Sequence, residues 1–96
     1  MENNHQISKL ISSSEMAKSD IHHFHEFIQI MEPFDVDADK NYSTLWFEME
    51  IVYALILDEW ESSGKKLELE EIFSGKYLKD VCEVVDEFTK YAMSGN

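Results

Sequence analysis

Ninety-six residues hold one domain, and an apolar share of 44% is too high for a disordered tail and just enough for a chain of this size to bury a core of its own. Twenty acids face eight lysines and no arginine, giving a net charge of −12; a field of that sign repels nucleic acid and anionic membranes and draws basic partners inward. A single cysteine, Cys82, excludes an internal disulfide and suits a reducing compartment.

The opening stretch MENNHQISKL is polar and lacks the basic start and apolar run of a signal peptide. No apolar run approaches the ~20 residues that cross a bilayer, so a cytoplasmic location without membrane contact is expected. Ile7, Leu10 and Ile11 mark a short first helix. In SSSE, Ser12 and Glu15 have the spacing of a capping box, which predicts the start of a second helix. From there Ala17, Ile21, Phe24, Ile28 and Met31 recur every three or four residues, with Phe27 alongside, and the stripe stops at Pro33.

An acidic linker follows, with Asp35, Asp37 and Asp39 alternating in FDVDADKNYS. In an extended segment these three side chains would share one side. A third helix is predicted from about Ser43 to Ser62, capped by Asn41 or Ser43 and ended by Gly64 in a left-handed turn. LELEEIF reads as a short helix, although Leu67 and Leu69 alternate as a brief strand would, and Gly75 breaks it. A last helix is predicted over 76–93, burying Leu78, Val81, Val85, Phe88 and Ala92. With one proline and three glycines in the whole chain, the predicted fold is all-α: a compact bundle of three long helices plus one or two short ones, in a single domain spanning 1–96.

The segment LWFEMEIVYALILDEWE, Leu45 to Glu61, carries the most information. On a wheel of 100° per residue, Leu45, Met49, Val52, Ile56 and Trp60 fall together, with Trp46, Tyr53 and Leu57 beside them. Phe47, Ile51, Ala54 and Leu55 form a second apolar stripe on the opposite side. Glu48 and Glu59 border it on one edge, and Glu50, Asp58 and Glu61 on the other. The ordinary arrangement is a central helix covered on both sides. The alternative leaves the second stripe open, as an apolar strip fenced by carboxylates and suited to a basic protein.

The aspartates of the linker raise the possibility of a calcium loop. Asp35, Asp37 and Asp39 occupy its first, third and fifth positions, but Lys40 stands where glycine makes the sharp turn and Trp46 where a bidentate glutamate is needed. The stretch reads instead as an acidic helix entrance, favoured by the helix dipole. His22, His25 and Glu26 in IHHFHEF could converge on one helical face and interest zinc, yet a third or fourth strong ligand has no cue in the chain, and the histidines fall mostly opposite Phe24 and Ile28. No nucleophile elbow, glycine-rich phosphate loop or H-E-x-x-H motif occurs. Cys82 sits beside Val81 and Val85 in the pattern, where a small buried thiol is the common fate. No catalytic residue, metal or cofactor is expected, and the chain is not expected to be an enzyme.

A short, acidic, helical chain with an aromatic and acidic helix, LWFEMEIVYALILDEWESSGK, resembles the bacterial immunity proteins that guard cells against bacteriocins or contact-dependent inhibition toxins. The resemblance spans the whole chain in size and charge and matches no family motif, so it carries over no residue. It implies tight binding to a basic toxin domain, often a nuclease, by blocking or distorting its active site. The contact set expected from the residues is Asp35, Asp37, Asp39, Glu48, Glu50, Asp58, Glu59 and Glu61, with Phe47 or Trp46 as the anchor. Two other readings share the acidity: a DNA mimic that occupies a DNA-binding enzyme, and an acidic chaperone for a secreted effector. A metal-dependent enzyme built on the histidines comes last.

Overall fold

The computed structural model describes the backbone of residues 2–94 and the side chains of residues 8–94. Five helices follow one another: α1 (Glu2–Ala17), α2 (Ile21–Ile30), α3 (Lys40–Ser62), α4 (Leu69–Gly75) and α5 (Leu78–Ser94). The all-α class is as the sequence predicts, but the lengths differ: α3, with 23 residues, is the one long helix. The predicted contribution of the Ile7 side chain to the first helix lies outside the described residues. Among the described residues no helix is long and apolar enough to cross a membrane.

The first boundary departs from expectation. Ser12 does not start a helix; α1 runs through the serines to Ala17, and the chain turns at 18–20. A serine inside a helix can return its hydroxyl to a carbonyl one turn back, as Ser14 does to Ile11 at 2.7 Å. The true cap is Asp20, whose carboxylate accepts the His23 backbone N–H at 2.8 Å and also meets the His23 ring. The apolar stripe is unaffected by the break: Ala17, Ile21, Phe24, Phe27 and Ile28 are all buried.

Both ends of α2 are sealed by neighbouring helices. The Ile21 N–H donates to Glu70 of α4 at 2.8 Å, placing a carboxylate at the positive end of the helix dipole. At the other end, the Ile28 carbonyl accepts Trp46 Nε1–H and the Met31 carbonyl accepts the Tyr42 hydroxyl, each at 2.8 Å, both from α3. Helix ends leave orphan carbonyls that need such partners. Pro33 follows two residues after the Met31 cap.

The linker is folded rather than extended. The Asp35 side chain accepts the Asp37 N–H at 2.9 Å and its carbonyl accepts the Ala38 N–H at 3.1 Å, so the three aspartates do not alternate along a strand. The cap of α3 is Asp39, in place of Asn41 or Ser43; its carboxylate accepts the Tyr42 N–H at 3.1 Å. Asn41 and Ser43 are already helical, and the Ser43 hydroxyl donates to the Val36 carbonyl at 2.8 Å.

α3 ends as predicted at Gly64, with φ +72. Gly64 N–H reaches the Glu61 carbonyl at 2.9 Å and Lys65 N–H the Trp60 carbonyl at 3.0 Å, the paired bonds of a Schellman turn. LELEEIF resolves as helix α4 over its last part, with no strand among the described residues.

The core joins α2, α3, α4 and α5 through rings: Phe24 with Phe73, Phe27 with Phe88, and Tyr42 with Phe88, at centroid separations of 6.1, 5.9 and 4.9 Å. Met49, Val52, Ile56, Ile72, Val81 and Val85 fill the space around them. α1 packs on α2 and α5, and an ion pair of 2.7 Å joins Lys18 to Asp86. On α5, Leu78 is exposed where the stripe predicted burial, because it opens the helix at the edge of the bundle, and Ala92 is half-buried. The molecule is an elongated slab of 47 × 26 × 18 Å.

Candidate partner-binding surface

α3 has one covered face and one open face. The covered face is the predicted one: Trp46, Met49, Val52 and Ile56 are buried, and Leu45, Tyr53 and Trp60 pack partly against them. The other face has no neighbour among the described residues. Phe47, Ile51 and Leu55 keep 48, 56 and 47% of their surface exposed, and Ala54 between them is exposed as well. The ordinary expectation of a central helix covered on both sides therefore fails. The bundle is a slab with α3 along one surface, since α2, α4 and α5 all meet it from the same side.

The linker folds back on the start of the helix: the Ser43 hydroxyl donates to the Val36 carbonyl, which places the Val36 backbone beside α3 one turn before Phe47. Val36 is 47% exposed, and the neighbouring Phe34 projects fully into solvent. Phe34 also lines a cavity of about 270 Å³ with Pro33, Ala38 and Tyr42, ringed by Glu32, Asp35 and Asp39. Sequence reasoning missed Phe34 and Val36; the available signal was a phenylalanine next to proline, outside any helical stripe.

The candidate acids separate by what else they do. Asp39 is committed to the fold: besides capping α3, it accepts the Tyr91 hydroxyl of α5 at 2.9 Å. The Tyr42 backbone N–H, followed by the Tyr91 hydroxyl, holds its carboxyl below the ordinary aspartate range. Asp35 spends one oxygen on its own turn, and Asp37 is exposed beside it. Glu59 is half-buried and paired with Lys76 at 2.6 Å. Glu48, Glu50, Asp58 and Glu61 make no ion pair among the described residues, and they flank the strip or, as Asp58 does, lie on its line. Past Lys40, α3 itself contains no lysine.

Trp46 is not an available anchor. It is buried, and its indole N–H is spent on the Ile28 carbonyl. Phe47, whose ring meets the Trp46 ring edge-on at 5.1 Å, is the exposed aromatic of the pair.

The histidines point to separate tasks. His23 binds the Asp20 cap, His25 stacks flat on Tyr53 with centroids 4.4 Å apart, and His22 is exposed. Glu26 is also exposed and borders a cavity between α1 and α2 with His23, Met16 and Ile30. Among the described residues, no three His, Cys, Asp or Glu side chains gather as metal ligands would. Cys82 is half-buried rather than buried as the stripe implied. Comparison of the chain with protein families, with curated proteins and with solved structures finds no match in any of the three.

Proposed function

We propose that this chain is an acidic protein-binding inhibitor that neutralises a basic protein, and that the partner is a bacterial toxin domain such as a nuclease. The observation that carries this reading is the uncovered strip of α3, an apolar line of Phe47, Ile51 and Leu55 accompanied by Glu48, Glu50, Asp58 and Glu61, which pair with no lysine among the described residues. Nucleases present cationic surfaces that bind phosphate, and Glu48, Glu50, Asp58 and Glu61 on a rigid helix would occupy them. Opposite charge speeds the encounter, while buried apolar anchors set the lifetime of the complex. A purely DNA-mimicking surface would need carboxylates alone, since duplex DNA offers no counterpart to an apolar strip; the strip favours the inhibitor reading.

The test is affinity capture from an extract of the source cell, washed at low and then high salt, followed by assay of the retained protein with and without this chain. One basic protein held at high salt and silenced by the chain supports the reading, because apolar anchors survive screening. A mixture of basic proteins released by salt refutes it. Reversing Glu48, Glu50 and Asp58 to lysine is expected to abolish inhibition; full inhibition by that variant would place the contact elsewhere.

A further inference from the structure

Resting on that reading, we infer that the partner element received by α3 is a single basic amphipathic helix, seated on the strip with two apolar side chains about one turn apart. Two docking hollows follow from the register. On a helix, four residues at i, i+3, i+4 and i+7 surround a hole that takes one side chain of a facing helix. Phe47, Glu50, Ile51 and Ala54 enclose the first, and Ile51, Ala54, Leu55 and Asp58 the second. Ala54, the smallest side chain of the strip, lines both and lets a facing backbone approach to the 8–10 Å of packed helices. Each hole carries one carboxylate at its corner, Glu50 or Asp58, so each knob is best flanked by a lysine or arginine.

The alternatives to a helix have less to hold. An extended segment gains its affinity from main-chain bonds to an open sheet edge, and the described residues contain no strand. A second copy of this chain would match the apolar line. However, it would set Glu48, Glu50, Asp58 and Glu61 against their own counterparts, with no lysine past Lys40 in either α3 to offset them. Like charges so placed oppose association, so the occupant is basic.

Selection against the full-length chain with two phage-displayed libraries tests this, one of amphipathic helices and one of β-hairpins of equal length, both allowing Lys, Arg, Leu, Ile and Phe at the varied positions. The expected winners are helices with two large apolar residues three or four apart and basic neighbours. Their synthetic peptides are expected to lose about thirtyfold in affinity for Ile51→Ser or Leu55→Ser and to keep it for Ile30→Ser, a still more exposed site on α2. Circular dichroism verifies that each variant folds. Hairpin winners, or peptides indifferent to Ile51→Ser and Leu55→Ser, overturn the inference. A neutral-pH dimer in sedimentation that Ile51→Ser converts to monomer overturns it in favour of a second copy. If helical winners emerge while extract capture yields no inhibited basic protein, the helix-receiving face stands and the toxin-inhibitor reading falls. If a captured toxin is inhibited through α3 without presenting a helix, the reverse holds.

Discussion

Adjacent aromatic residues on α3 do opposite work. Trp46 faces the core and donates its indole N–H to the Ile28 carbonyl, while Phe47 faces out. Trp46→Phe keeps most of the ring and strands that carbonyl, which is expected to cost about 1–3 kcal/mol in denaturant unfolding and to leave affinity for a basic partner unchanged. Phe47→Ser is expected to change stability by less than about 0.5 kcal/mol and to weaken the partner at least about tenfold. Equal effects of the two variants on binding would contradict this division. Thr89 is a second residue whose surroundings set a clear expectation. Its hydroxyl is buried on α5 and finds no hydrogen-bond partner among the described residues. Thr89→Val keeps the shape and helical preference of the side chain and removes the unsatisfied oxygen, so a gain of about 1 kcal/mol in chemical denaturation is expected. A loss would mean that the hydroxyl is satisfied in solution.

At the scale of elements, the end of α3 depends on Gly64 at φ +72, with open space around the position of a Cβ. The cost of Gly64→Ala is therefore purely that of the left-handed backbone, about 1–2 kcal/mol, read as a drop in thermal midpoint of a few degrees. Gly64 was legible because a glycine after an apolar run has few other uses. The buried stripes of α2, α3 and α5 were legible for the same kind of reason: burial imposes a period of 3.6 residues on the sequence. Caps were less so. Ser12 and Asp20 both suit a helix start, and what selects Asp20 is the convergence of its carboxylate with His23 and of Glu70 with the Ile21 N–H. Glu70 arrives from 49 residues away, which no local pattern reveals. The open strip was visible as a stripe in the sequence, but whether another helix covers it depends on how the bundle closes. Phe34 and Val36 belong to no periodic segment, so no helical pattern showed that the linker folds back on the start of α3.

Over the whole molecule, net charge and the strip oppose each other. At neutral pH a charge of −12 opposes association of copies although Phe47, Ile51 and Leu55 are exposed, and acidification toward the isoelectric point near 4.5 weakens that opposition. The fold is expected to outlast the loss of repulsion. The Asp20 carboxyl is held below its ordinary value of 3.8, first by the His23 backbone N–H and then by the His23 ring, and Asp39 is held below the same value by Tyr42 and Tyr91. A carboxylate whose folded pKa is depressed contributes its stability above the unfolded value and loses it as pH falls through the folded value. These two caps therefore remain ionised at pH 4.5 and weaken only below about pH 4. Between the two pH values, folded molecules with little net charge and an uncovered apolar strip should associate. Sedimentation at pH 4.5 is expected to show dimers or larger species, with helical content by circular dichroism equal to that at pH 7. Ile51→Ser with Leu55→Ser is expected to return the chain to monomer at pH 4.5. If the double variant associates as strongly as the parent, another exposed surface such as Met16 and Ile30 is the adhesive one, and the strip of α3 needs a partner of opposite charge even when its own repulsion is gone.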